Sequence, residues 1–216
     1  MDGFSKEYAI TIAGHSYVKW LLHFIENDDE NVMGRLDTSF GLYKENLNVK
    51  FHARPGATLF QLKCETYLIC KPEVDIIILI IGGNDLDNGH NPFELAVKVY
   101  KYAEYLLSKG IKFVAILQII ERNVGNSFKE KAEAYNRRLK ALTNEHPKMR
   151  FWELRRISLS DLRKDGVHLT GRGNYFLYNS IKSCIRHALS HVIEDSPCVH
   201  QDETMKLRGG KNRRTR

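Results

Sequence analysis

A chain of 216 residues with 43% hydrophobic and 27% charged residues has interior enough for one α/β domain and is too short for two full-sized ones. Its longest apolar run, Ile76 to Ile81, falls far short of the roughly 20 residues that span a bilayer, which excludes a transmembrane helix. The formal charge of +7 resembles a nucleic-acid signal until it is located: Lys206, Arg208, Lys211, Arg213, Arg214 and Arg216 carry most of it, with no acidic residue after Glu203, so the body is close to neutral.

The N-terminus has acidic residues where a signal peptide carries positive charge, and Tyr8 to Ala13 is too short for its apolar stretch. A cytoplasmic location is expected, with nuclear targeting by the basic tail as an alternative. Cys64, Cys70, Cys184 and Cys198 show neither C-x-x-C spacing nor disulfide-scaffold density, and are expected to be reduced, partly buried thiols.

Tyr8 to Ala13 reads as a β-branched strand ending at Gly14. Val18, Leu21, Leu22 and Ile25 then repeat at helical spacing over Tyr17 to Glu26. Asn27 to Tyr43 is polar and reads as a loop before a second strand at Leu47 to Ala53; Gly56 turns the chain into a helix over Thr58 to Cys70. Asp75 to Ile81 has the near-continuous apolar run of a strand buried on both faces of a parallel sheet. Leu86 to Pro92 reads as a loop, and Pro92 suits the first turn of a helix running to about Ser108, with Gly110 as its stop. A strand at Lys112 to Ile120, a helix at Ser127 to Asn144, a strand at Met149 to Leu154, a loop at Arg155 to Lys164 and a closing helix at Gly171 to Val192 complete the series.

This alternation predicts an α/β fold: a flavodoxin-like three-layer α/β/α sandwich around a parallel sheet of about five strands. Residues 1–192 form the expected domain. Residues 193–216, with Pro197, Gly209, Gly210 and few apolar residues, are expected to be a disordered basic tail.

Three short segments carry chemistry. Ser16 follows Gly14 and opens a helix, where backbone N–H groups and the helix dipole favour an anion; the plain alternative is an N-cap serine. Asp165 and His168 are three residues apart, so the carboxylate can hold Nδ1–H and turn Nε2 toward a serine; Asp-Gly is also a common turn dipeptide. Asn84 follows Gly82-Gly83 at the end of the most apolar strand, where its amide can meet an oxyanion or simply form an Asx-turn. Gly56 can offer a bare N–H at a helix start, giving with Ser16 N–H and Asn84 a three-donor oxyanion hole.

Gly14-His15-Ser16, Gly56, Gly83-Asn84-Asp85 and Asp165-x-x-His168 occur in the order and approximate spacing of the SGNH, or GDSL-like, hydrolases, and the chain resembles that family over about residues 8–190. The resemblance implies a flavodoxin-like fold, Ser16 as nucleophile, Ser16, Gly56 and Asn84 as oxyanion donors, Asp165 and His168 as the base pair, no metal cofactor, and small-molecule, carbohydrate or lipid esters as substrates. The chain departs from the family in one place: His15 stands where an aspartate is usual, removing a negative charge beside the nucleophile. His15 is expected to be packed or solvent-facing.

Rival patterns are weaker. Ser16-Tyr17-Val18-Lys19 matches S-x-x-K without its S-D-N and K-T-G partners, and G-x-S-x-G and the nucleotide-binding glycine motifs are absent. His187 and His191, with Cys198 and His200, match no strong zinc spacing. Sequences resembling this domain also occur in some retroelement-encoded proteins. The non-enzymatic alternative is therefore a binding domain with an inactive pocket, whose tail, residues 206–216, makes weak nucleic-acid or acidic-partner contacts. The enzymatic reading is a serine esterase that needs no cofactor.

Overall fold

The run from Val74 to Ile80 forms β3, the middle strand of a parallel sheet, and its alternation divides the core in two. Ile76, Ile78 and Ile80 pack on one face with Ile10, Val18, Leu21, Leu177, Ile181 and Ile185. Ile77 and Leu79 pack on the other with Leu62, Leu95, Val99, Leu106 and Leu139. Successive side chains of a strand point to opposite faces, so a strand covered on both sides must be apolar at every position. Each such side chain contributes about 1.5–3 kcal/mol on full burial.

The computed structural model describes residues 6–27, 36–123 and 125–194. The strands are β1 (Tyr8–Gly14), β2 (Leu47–Ala53), β3, β4 (Phe113–Leu117) and β5 (Met149–Trp152), in the order β2-β1-β3-β4-β5. All the pairings are parallel. Helices α1 (Ser16–Asn27) and α7 (Gly171–Glu194) cover the first face. Helices α2 (Leu59–Cys64), α3 (Thr66–Ile69), α5 (Pro92–Ser108) and α6 (Asn126–Thr143) cover the second, and the short α4 (Gly83–Asp87) follows β3. The expected three-layer α/β/α sandwich with five strands is therefore the fold observed.

Three expectations are corrected. The helix over Thr58 to Cys70 is two helices, broken at Glu65 (φ −100°, ψ 13°), whose carboxylate is held by His52 at 2.7 Å and by Arg54. Leu86 and Asp87, read as loop, lie in α4, which starts after Gly82 in the left-handed region (φ 105°). The fourth strand stops at Leu117, because the Asn136 side chain takes over the ladder: Ile119 N–H donates to Asn136 Oδ1 and Asn136 Nδ2 donates to the Ile119 carbonyl, both at 3.0 Å. Gln118 N–H still donates to the Trp152 carbonyl at 2.9 Å, and the chain from Ile119 to Asn123 is free to leave the sheet. The closing helix extends to Glu194, and the tail beyond it, with Cys198 and His200, lies outside the described residues.

Of the thiols, Cys64 is exposed, Cys70 half-buried and Cys184 buried, all unbridged. Burial alone pushes the Cys184 thiol up. No described helix is long and apolar enough to cross a membrane. Among the described residues no group of three metal-ligating side chains occurs; His187 and His191 meet ring to ring at 4.6 Å beside Phe113.

Candidate active site

The chain order of the sheet reverses between β1 and β3, and a crevice at the carboxyl ends of strands is the usual ligand position at such a switch point. Ser16 follows β1 and Asn84 follows β3, so both stand there. Gly14 makes the junction possible: a Cβ on it would lie 2.1 Å from the Ile80 carbonyl oxygen, and His15 N–H donates to that same oxygen at 3.2 Å. The Gly14 carbonyl in turn accepts from Arg54 N–H at 2.9 Å, drawing the Gly56 turn to the same edge.

Ser16 is the first residue of α1, where backbone N–H groups have no intrahelical acceptor. Gly56 is the third residue of a turn closed by Ala57 N–H to the Arg54 carbonyl at 3.0 Å, and its φ of +74° behind Pro55 suits the type II pattern. Asn84 Nδ2 donates to the Ala57 carbonyl at 2.9 Å, which joins α4 to that turn. Asp85 completes the join by accepting Leu59 N–H at 3.1 Å on each carboxylate oxygen; burial raises its pKa, with the Leu59 bond opposing.

Asp165 and His168 are paired as expected. Asp165 Oδ1 accepts the N–H groups of Val167 at 2.8 Å and His168 at 2.9 Å, while Oδ2 lies 2.8 Å from His168 Nδ1. The His168 and Val167 N–H groups, with the imidazole, hold the Asp165 carboxyl down at about 2. An ionised carboxylate only accepts, so Nδ1 carries the proton and Nε2 of the neutral ring is left as acceptor.

The loop that bears this pair is fastened to α1. Tyr17, the residue after Ser16, donates its hydroxyl to the Val167 carbonyl at 2.6 Å. The His168 ring lies 5.9 Å, edge-on, from Trp20, one turn along α1 from Ser16, and the Arg163 guanidinium covers Trp20 at 4.2 Å. Among the described residues no hydrogen bond joins Ser16 to His168; such bonds often tighten only when substrate is bound.

His15 is packed, at 2% exposure, with Nδ1 accepting weakly from Tyr17 N–H at 3.5 Å. Burial, helped by the charges of Arg122 and His168, brings its pKa down to about 3, so the ring is neutral near pH 7. Lys19 of the S-x-x-K pattern is exposed. A groove of about 750 Å³ lies along β5 and α7, and its lining contains none of Ser16, Gly56, Asn84, Asp165 or His168.

Sequence reasoning missed Tyr17, Trp20, Arg163 and above all Arg122. The Arg122 side chain is 2% exposed, ion-paired to Asp87, and donates to Asn84 Oδ1 at 3.3 Å. Nothing in Glu121-Arg122-Asn123 marks it; it arrives only because the chain leaves β4 early.

No protein-family model and no curated protein matches the chain in sequence. Solved structures do match. A GDSL-like lipase from Bacteroides thetaiotaomicron superposes with a TM-score of 0.67 at 16% identity, covering 87% of this chain and 92% of its own. The chain has the fold of the SGNH hydrolases. A carbohydrate esterase family 3 protein from Talaromyces cellulolyticus gives 0.64 at 14% identity, covering 85% and 99%. An acetylxylan esterase from Geobacillus stearothermophilus, as a catalytic mutant, gives 0.60 at 14% identity, covering 83% and 95%. At these identities the SGNH likeness is one of fold.

Proposed function

We propose that this chain is a serine esterase acting on carboxylic esters through Ser16, His168 and Asp165. One observation carries the reading: the Asp165–His168 pair, 2.8 Å between Oδ2 and Nδ1, sits on a loop bonded through the Val167 carbonyl to Tyr17, the immediate neighbour of Ser16. The names of the proteins sharing its fold, a lipase and two carbohydrate esterases, support the ester class.

In this mechanism His168 Nε2 takes the Ser16 hydroxyl proton as Oγ attacks the ester carbonyl carbon. The carbonyl π pair moves onto oxygen, and Ser16 N–H, Gly56 N–H and Asn84 Nδ2 receive the oxyanion. A primary amide has two N–H groups, so Asn84 can keep its bond to Ala57 and offer the second. The tetrahedral intermediate collapses, the carbon–oxygen bond to the alcohol breaks, and His168 protonates the leaving oxygen. Water, deprotonated by His168, then releases the acid from Ser16. Asp165 holds the ring and stabilises the imidazolium at both stages. Neutral His15 supplies neither the negative charge of the usual aspartate nor a competing cation.

The test is labelling by a fluorophosphonate probe at neutral pH, with Ser16→Ala and His168→Ala as comparators. Labelling of the wild type, lost in both variants, is the expected result. A folded wild type that does not label overturns the reading.

A further inference from the structure

Arg122 is an expensive residue to bury. Taking a guanidinium out of water costs several kcal/mol even when it is paired, and an apolar residue of similar volume commonly serves stability as well or better. Its ion-pair partner, Asp87, is itself 39% exposed, and Arg122 Nε has no hydrogen-bond partner. The surroundings are nevertheless shaped to admit it. Its guanidinium lies over the Phe128 ring at 5.1 Å, and a Cβ on Gly83 would come within 2.6 Å of Nη2. A side chain at the second glycine of Gly82-Gly83-Asn84 would therefore have to displace this guanidinium.

Of the three candidate oxyanion donors, the one the arginine side chain touches is Asn84; it also lies against the Tyr17 hydroxyl. Nη2 donates to Asn84 Oδ1 at 3.3 Å, while Asn84 Nδ2 donates to the Ala57 carbonyl at 2.9 Å. Arginine has only donors and a peptide carbonyl only accepts. The two contacts therefore leave one orientation for the amide, with oxygen toward Arg122 and nitrogen toward the Gly56 turn. A flipped amide would set N–H against N–H on one side and oxygen against oxygen on the other.

We propose that Arg122 is a positioning residue for the oxyanion donor Asn84: it fixes the amide so that the remaining Nδ2–H faces the developing oxyanion, and its charge polarises that donor. This rests on the esterase reading of the Ser16 site and adds to it a part that the sequence pattern does not contain.

The test is a double-mutant cycle on p-nitrophenyl acetate hydrolysis, with Arg122→Lys, Arg122→Met, Asn84→Ala and the double variants, beside the side-chain amide resonances of Asn84 in 15N-labelled protein. Losing an oxyanion donor costs about 10²–10³-fold in kcat. Asn84→Ala is expected to fall in that range. Arg122→Met should lose about 10²-fold in kcat with KM within about threefold, and should add almost nothing in the Asn84→Ala background, because its effect passes through Asn84. Arg122→Lys keeps the charge without the planar fork and should fall between, which preserves the test if Arg122→Met does not fold. Multiplicative losses, or an unchanged kcat in Arg122→Lys, overturn the proposal. A wild type without hydrolysis or labelling would sink the esterase reading alone. The resonances would still decide the positioning role, since Arg122→Lys must shift the Asn84 amide pair and an unmoved pair rejects it.

Discussion

Asn123 N–H donates to the Gly166 carbonyl at 2.8 Å, and this single main-chain bond ties the segment leaving β4 to the loop that carries Asp165 and His168. Gly166 has a φ of +70°, and a Cβ there would lie 2.7 Å from the Asn123 carbonyl oxygen. Gly166→Ala combines left-handed strain of about 1–2 kcal/mol with a backbone clash that no rotamer relieves. The expected result is a destabilisation of about 2–3 kcal/mol in urea unfolding, together with a fluorophosphonate labelling rate lowered at least about tenfold in protein that is still folded. Labelling at the wild-type rate would mean that the loop tolerates displacement and does not set the His168 position.

Asp165 makes two kinds of contact that substitution can separate. Asparagine at this position can still accept the Val167 and His168 N–H groups, but it cannot stabilise an imidazolium or reliably hold Nδ1–H. Asp165→Asn is expected to keep the loop and lose about 10²–10⁴-fold in kcat; Asp165→Ala should lose both activity and loop stability. Its folded pKa, about 2, lies below the unfolded carboxylate value, so its contribution is present above pH of about 4 and is lost as pH falls toward 2. A fall in activity between pH 8 and 5 must therefore arise elsewhere than from protonation of Asp165, and because asparagine no longer stabilises the imidazolium, any such fall should move to lower pH in Asp165→Asn.

His15 gives a pH signature in stability. Its folded pKa of about 3 lies below the unfolded histidine value of roughly 6.5, so acid favours the unfolded chain, which binds the proton first. Its contribution is intact above about pH 6.5 and declines as pH falls toward 3. His15→Gln removes the titration while keeping a polar side chain. Thermal melts from pH 7.5 to 4 should show the wild type losing stability by several kcal/mol more than His15→Gln. Parallel curves would show that the buried ring finds a proton acceptor in the folded state.

The residues that could be read in sequence are those whose signal is local. β3 declares itself by uninterrupted β-branched and leucine residues, α5 begins at Pro92 because proline suits a first turn, and Ser16, Asn84 and Asp165-x-x-His168 sit at strand ends and turns that glycine marks. The break at Glu65 is silent because Leu59, Leu62 and Ile69 keep helical spacing across it, and the cause lies on β2, in His52 and Arg54. Arg122 is silent for a similar reason. Its burial depends on Gly83, Asp87 and Phe128, which only the folded chain brings together.

Asn136 is the least obvious control on the site. From α6 it takes the Ile119 N–H and carbonyl at 3.0 Å each, ending β4 and starting the turn that delivers Arg122 and Asn123. Asn136→Ala leaves both backbone groups unpaired beside Ile119, which is itself 7% exposed, at about 1–3 kcal/mol for each group that water cannot reach. Asn136→Asp still accepts from Ile119 N–H but sets a carboxylate against the carbonyl, so it should be at least as disruptive near pH 7 and partly recover once protonated in acid. The expected outcome is a loss of about 2–4 kcal/mol for Asn136→Ala in urea unfolding, with faster amide exchange at Ile119 and Asn123 and a fall in kcat as Arg122 loses its fixed place. Stability lost without a change in kcat would separate the end of β4 from the chemistry and leave the Arg122 contact to Asn84 supported by Asp87 and Phe128 alone.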